Sequence, residues 1–279
     1  MRHRDGAQGL NARIAVGNRE VRIDLAQPVS LAIALDFANG QPRHFGAPPA
    51  TSRPFALPGF EGAVERGASC NCQTLTLIPH CNGTHTECVG HLTREPLDAH
   101  SVAPLGLLPA VLVSVEPVNR ADGEGTEPNP QPGDFLVTRR ALARGWTDIE
   151  PPFAPRALVL RTLPNHPDKR HQDYSNQTPP YLTREAAQWL VERDIEHLVV
   201  DLPSIDRAHD EGRLTAHRIF FGLPRGDTKL AHATRANATV TELAYIPDTL
   251  KDGACLLEIQ VPAIGGDAVP SRPLLYPLP

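Results

Sequence analysis

The stretch His80-Cys81-Asn82-Gly83-Thr84-His85-Thr86-Glu87-Cys88-Val89-Gly90-His91 places three histidines, two cysteines and a carboxylate within twelve residues. Imidazole, thiolate and carboxylate are common protein ligands of divalent ions such as zinc or manganese. Gly83 and Gly90 interrupt the run. Glycine tolerates backbone angles that other residues avoid, so a short loop here can turn closely spaced side chains onto one point. Metal binding is one reading of this stretch, and a solvated loop rich in histidine is the other.

The elements that must position these residues are legible on either side. Residues 71–78 alternate, with Cys72, Thr74, Thr76 and Ile78 on one side, which predicts a strand running directly into His80. Further strands are predicted at 12–16, 21–25, 29–37, 110–115, 156–162 and 197–202, the first two joined by a turn at Gly17-Asn18. Residues 134–145 read as a strand passing into a short helix. Thr183 caps a helix over 183–193, with Ala186, Ala187, Leu190 and Val191 as its apolar face. Helix followed by buried strand is an α/β unit. Residues 41–68, rich in Pro, Gly and Ala, and 163–180, which carries His166, Asp168, His171, Asp173 and Tyr174, read as long polar loops. Substrate specificity would lie in residues 37–68 and 163–181, with Phe37, Phe45, Phe55, Phe60, Trp146, Tyr174 and Tyr181 as the aromatic candidates.

Composition bounds the class. The chain has 279 residues, 41% of them hydrophobic and 21% charged, enough for one large domain with a substantial core. Its net charge of −5 gives no basic patch for nucleic acid. Twenty-nine prolines argue for ordered loops rather than a helical bundle. With no apolar run long enough for a membrane span and no apolar core after Met1-Arg2-His3-Arg4-Asp5, a cytoplasmic protein is expected. Five cysteines, four of them near the motif, fit reduced thiols or metal ligands better than a disulfide scaffold.

Gly83-Thr84-His85-x-Glu87-x-x-x-His91 resembles the signature His-x-Gly-Thr-His-x-Asp-x-Pro-x-His of the cyclase family of metal-dependent hydrolases. That family includes bacterial kynurenine formamidases (arylformamidases) and isatin hydrolases. Three positions depart from the pattern: Cys81 fills the slot of the first histidine, Glu87 that of aspartate and Val89 that of proline. The resemblance continues through residues 180–206, ending in a Ser-x-Asp turn at Ser204. It then takes in the element around His217, the segment of Glu242, the strand over 256–262 and Pro270-Ser271-Arg272. Residues 222–234 look like an insertion, and His232 within it reads as a surface histidine.

The resemblance implies an α/β fold with a mixed, curved or barrel-like sheet and helices packed outside. One domain would span 1–279, with 1–19 as an N-terminal extension. It implies a metal set of Cys81, His85, Glu87, His217 and Glu242, holding one or two divalent ions, zinc before manganese. His91 would stay off the metal and transfer protons. A bound ion lowers the pKa of water toward about 7, which suits hydrolysis of a small amide, formamide or lactam. Homo-oligomers, dimers or tetramers, are expected. On an extended segment successive side chains face opposite ways, so Cys81 is expected to point at the centre and His80 away. Two other readings stand beside this one. Cys81 could mark a family member that binds small molecules without turnover. A nucleophilic Cys81 or Cys88 paired with His85 or His91 is weaker, because it leaves the carboxylates without a role.

Overall fold

Strands covered on both faces read as unbroken aliphatic runs, and the middle of this chain is built from them. The computed structural model describes residues 9–16, 19–120, 122–149 and 151–278. A nine-stranded sheet is formed by β1 (Val29–Ser30), β2 (His85–Glu87), β3 (Leu108–Val115), β4 (Ala157–Thr162), β5 (His197–Val200), β6 (Thr239–Glu242), β7 (Gly253–Gln260), β8 (Ala268–Pro270) and β9 (Arg272–Pro277). Their order is β8-β2-β6-β5-β4-β3-β7-β9-β1. Strands β3, β4, β5 and β6 run parallel, and the strands flanking them pair antiparallel. The sheet curls into a half-barrel. Beyond β1, Leu31 N–H donates to Pro273 O and Leu31 O accepts from Tyr245 N–H, so one short segment ties β9 to the end of β6.

The two faces of each central strand enter different cores. Leu108, Ala110, Leu112, Ala157, Val159 and Val199 face the concave cluster with Leu31, Leu257 and Leu275. Val111, Val113, Leu158, Leu160, Leu198 and Val200 face the outer cluster. Helices α2 (Arg139–Thr147), α3 (Arg184–Glu192) and α4 (Thr215–Phe221) contribute to that outer cluster, after the single turn α1 (Ala99–Val102). Thr183 caps α3 as expected, its hydroxyl accepting the Ala186 N–H at 3.0 Å. Among the described residues no helix is long and apolar enough to cross a membrane.

Several expected boundaries shift. The predicted strand over 29–37 is confined to Val29–Ser30 and an isolated bridge at Ala32, because Asp36 accepts the Ala38 and Asn39 N–H groups and turns the chain. Residues 41–68 are not wholly loop. Thr51–Pro54 pairs antiparallel with Gln73–Thr76, and Ala56–Leu57 pairs with Phe60–Glu61 around the Pro58-Gly59 turn, a hairpin signal that composition masked. The Gly17-Asn18 turn and residues 1–5 lie outside the described residues. The strands that this turn would join, Asn11–Val16 and Arg19–Asp24, pair as expected.

Leu112 is fully buried in the concave cluster. Leu112→Ala should cost about 2–5 kcal/mol, read as a lower urea midpoint with an unchanged denaturant slope.

Candidate metal centre

Strand β2 lies between β8 and β6, with His85 opposite Glu242 and Glu87 opposite Val240. Alternate residues share a face, so His85, Glu87 and Glu242 project together. Thr86 points the other way and its hydroxyl meets that of Thr241 at 2.7 Å. The turn into β2 is made at Gly83, whose φ of +77° belongs to the left-handed region. Thr84 then clamps the strand, donating its hydroxyl to Leu243 O at 2.6 Å and accepting Ile33 N–H at 2.8 Å. Leu243, directly after Glu242, is itself held at φ +51°, a strained angle for leucine next to a functional side chain.

His217 reaches the same point from α4. Asp206, in the turn that the Ser-x-Asp pattern marked, accepts the backbone N–H groups of Ala216 and His217 at 2.8 and 3.0 Å. It also accepts His217 Nδ1–H at 2.7 Å, leaving Nε2 directed at the carboxylates. His85 is oriented the same way, its Nδ1 paired with Gly83 O at 3.1 Å. This pairing of a histidine's outer nitrogen with a carboxylate or carbonyl is the usual support of a metal-ligating imidazole.

His217 Nε2 lies 2.7 Å from Glu87 Oε1 and 3.5 Å from Glu242 Oε1. His85 Nε2 lies 3.4 Å from Glu242 Oε2, and Glu242 Oε1 accepts Ile205 N–H at 2.8 Å. Three groups of convergent ligand atoms result: His80, His85 and Glu87; Glu87, His217 and Glu242; and His80, His91 and Asp267. Within each, the ligand atoms lie within 4.8 Å of one another, and Glu87 belongs to two of them. A cavity of about 770 Å³ lined by Ser114, Arg140, Arg144 and Asp252 shares no residue with these groups.

The expected facing of His80 is corrected. His80 does not turn away: Nδ1 lies 2.8 Å from Glu87 Oε2 and Nε2 lies 2.8 Å from Asp267 Oδ2. Cys81 is buried but lies outside all three groups. The alternation argument presumed an extended chain, whereas Pro79–Cys81 forms a 3₁₀ turn, in which side chains advance by about a third of a turn per residue. Sequence reasoning also missed Asp267. It lies 187 residues from His80, and only the Gly265-Gly266-Asp267 turn hinted at it. His91 Nδ1 lies 3.3 Å from the same carboxylate oxygen. His232 pairs with Asp227 on the surface, and His166 with Asp168, both apart from these groups.

The electrostatics are those of buried anions seeking a cation. Burial opposes charge on His217, but the charge of Glu87 and the bond to Asp206 outweigh it and hold its pKa well above the histidine range. Burial likewise pushes Glu87 up, and His217 followed by His80 brings it well below the carboxylate range. Burial and Glu87 both push Glu242 up, and contact with His217 and His85 brings it down. For His80, burial is outweighed by Asp267 and Glu87, which raise it to about 10.

The donors fit a divalent ion on a feature independent of these charges. Among the described residues His85 Nε2, His217 Nε2 and both Glu87 oxygens are buried without a hydrogen-bond partner. Although His217 Nε2 and His80 Nδ1 lie 2.7 and 2.8 Å from the Glu87 oxygens, neither contact has hydrogen-bond geometry, and buried polar atoms crowded on one point in this way mark a place for an ion. The thiols do not fit a nucleophile. Burial raises Cys81, and it pushes Cys88, whose Sγ donates to Leu97 O, up to about 11.

Fold and site together define a curled mixed-sheet α/β protein with a buried histidine–glutamate centre suited to a divalent ion. The chain belongs to the Cyclase family, whose profile, described as "Putative cyclase", matches residues 23–207. No curated protein matches the sequence significantly. Solved structures share the fold. One is a potential metal-dependent hydrolase with cyclase activity, at TM-score 0.58 and 15% identity, covering 90% of this chain and 97% of the other. Another is an isatin hydrolase bound to the product analogue thioisatinate, at TM-score 0.57 and 15% identity, covering 91% and 93%. A third is isatin hydrolase A from Ralstonia solanacearum, at 0.56 and 16%, covering 90% and 91%.

Asp206→Ala should weaken divalent-metal affinity about 10- to 100-fold, because His217 loses the partner that orients it. Titration with zinc against a competing chelator measures this.

Proposed function

We propose that this protein is a metal-dependent hydrolase that opens a small amide, formamide or lactam. The observation that carries this reading is the convergence of His85 Nε2, His217 Nε2 and the Glu87 oxygens, all buried and none in a hydrogen bond of regular geometry, beside Glu242. Membership of the Cyclase family and the likeness to metal-dependent and isatin hydrolases support it. In this reading His85, Glu87, His217 and Glu242 hold one or two ions of zinc or manganese. His80 stands in the place first expected of Cys81. When bound, such an ion would activate water and stabilise negative charge developing on the carbonyl oxygen.

The protein's own groups manage the proton. His91 is part-exposed, its ring centroid 4.2 Å from that of His80 and 5.9 Å from that of His217. It lies outside the group formed by Glu87, His217 and Glu242. With Nδ1–H donating to Asp267, Nε2 is free to take a proton from water as the new C–O bond forms. It then returns that proton to nitrogen as the C–N bond breaks. Asp267 thus sets the tautomer of His91 and receives His80 as well.

The test uses protein purified without a histidine tag and assayed with formanilide and isatin. Turnover that follows zinc or manganese occupancy is expected; stoichiometric metal without turnover of any small amide or lactam would favour the binding protein instead. His91→Ala should keep the metal and lower turnover by roughly two to four orders of magnitude. His85→Ala should lose metal, with activity following occupancy. A His91→Ala variant with full turnover, or one that loses metal as readily as His85→Ala, would refute the proton-transfer role.

A further inference from the structure

One buried imidazole near the centre has no protein partner at all. His44 is 1% exposed, and among the described residues neither ring nitrogen has a hydrogen-bond partner. The other buried histidines are each tied at Nδ1: His85 to Gly83 O, His197 to Thr239 Oγ1 and His217 to Asp206. A bound cation would account for the free Nε2 atoms of His85 and His217, but His44 belongs to none of the convergent groups. An unmet donor or acceptor in the interior costs about 1–3 kcal/mol, so a fully buried imidazole with both nitrogens free calls for a ligand.

Its placement is deliberate. His44 N–H donates to Cys81 O at 3.2 Å, fixing it to the loop that carries His80. The neighbouring Arg43 bridges Asn82 on one side and Asp173 on the other, where the Arg43 guanidinium also pairs with the Asp173 carboxylate. Phe45 and Gly46 follow at φ +55° and +66°, a tight left-handed turn that leaves Phe45 half exposed while His44 goes inward. The groups whose charge reaches the ring are Glu242, His209 and His85, two of which belong to the candidate centre. Burial holds the ring neutral, its pKa lowered to about 4, so it offers one N–H and one lone pair.

The geometry points to His44 as a substrate-binding residue whose ring N–H donates to the carbonyl of a neutral amide or lactam lying against the centre. This rests on the hydrolase reading and adds to it one donor for the substrate carbonyl, in a buried place that disfavours charged groups. It also gives the loop around His44 a role in selectivity.

The experiment compares metal-loaded wild type with His44→Leu and His44→Gln. For formanilide, His44→Leu should keep the metal content and thermal midpoint and raise KM by about tenfold or more, with kcat within about threefold. His44→Gln, which retains a donor, should recover part of the loss. An unchanged KM in His44→Leu, or loss of metal in that variant, overturns the assignment. Binding of benzamide by calorimetry separates this from the hydrolase reading. If the wild type turns over no amide, that reading fails, while a tenfold loss of benzamide affinity in His44→Leu still upholds the contact. Equal affinity, or no benzamide binding to wild type, overturns it.

Discussion

Two glutamates side by side in a dry interior are the constraint from which the rest of this structure follows. Glu87 and Glu242 are 1% and 3% exposed, on paired strands and facing the same way. Removing a carboxylate from water costs several kcal/mol, and two together repel, so the fold must supply positive charge at that place. The surrounding imidazoles can do so only by taking protons, as the raised pKa of His217 shows. A divalent ion answers the same demand better. Such an ion would offset both carboxylates while leaving each Nε2 its lone pair, the state that the Nδ1 contacts to Asp206 and Gly83 O favour.

The sheet meets this demand by surrounding the short strand His85–Glu87 with partners. Three residues make a weak strand alone, but hydrogen-bonded neighbours on both sides and the Thr86–Thr241 contact on the reverse face hold it in register. A slip of one residue would turn His85 and Glu87 away from Glu242, so register and site are a single requirement. The left-handed angle at Leu243 is part of the same device. It bends the chain after Glu242 so that Leu243 O can receive the Thr84 hydroxyl and lock the two ligand strands together.

Much of this was legible in the sequence, and what was not has a physical reason. Aliphatic runs at 110–115, 156–162 and 197–202 and the Thr183 cap follow from local chemistry, and the cyclase resemblance supplied the curl of the sheet. The histidines and glutamates that converge could be singled out because they cluster or sit in recognisable segments. Asp267 and His44 were missed because their meaning lies in pairings across 187 residues of chain or in the absence of any pairing. Asp206 was noticed as a turn but not as the partner of His217, since eight residues of irregular chain separate Ser-x-Asp from the helix whose first turn it holds. The strands Thr51–Pro54, Ala56–Leu57 and Phe60–Glu61 were hidden by composition, because short exposed strands carry little hydrophobic alternation.

The departure of His80 from the family pattern follows from the same local geometry. In the pattern the first histidine stands four residues before the second; here the imidazole stands five before, with Cys81 in the usual slot. In an extended chain that shift would aim the ring out of the site. Proline at position 79 starts a 3₁₀ turn instead, and Asn82 closes it by accepting the Ile78 N–H on its side chain at 2.8 Å. The rotation brings His80 against Glu87, with its ring edge-on to His85 at 5.5 Å. An imidazole can therefore move by one position and still reach the centre, provided the backbone changes its twist at the same place. The spacing of a motif describes one backbone path to a set of donors, and the donors are what the chemistry requires.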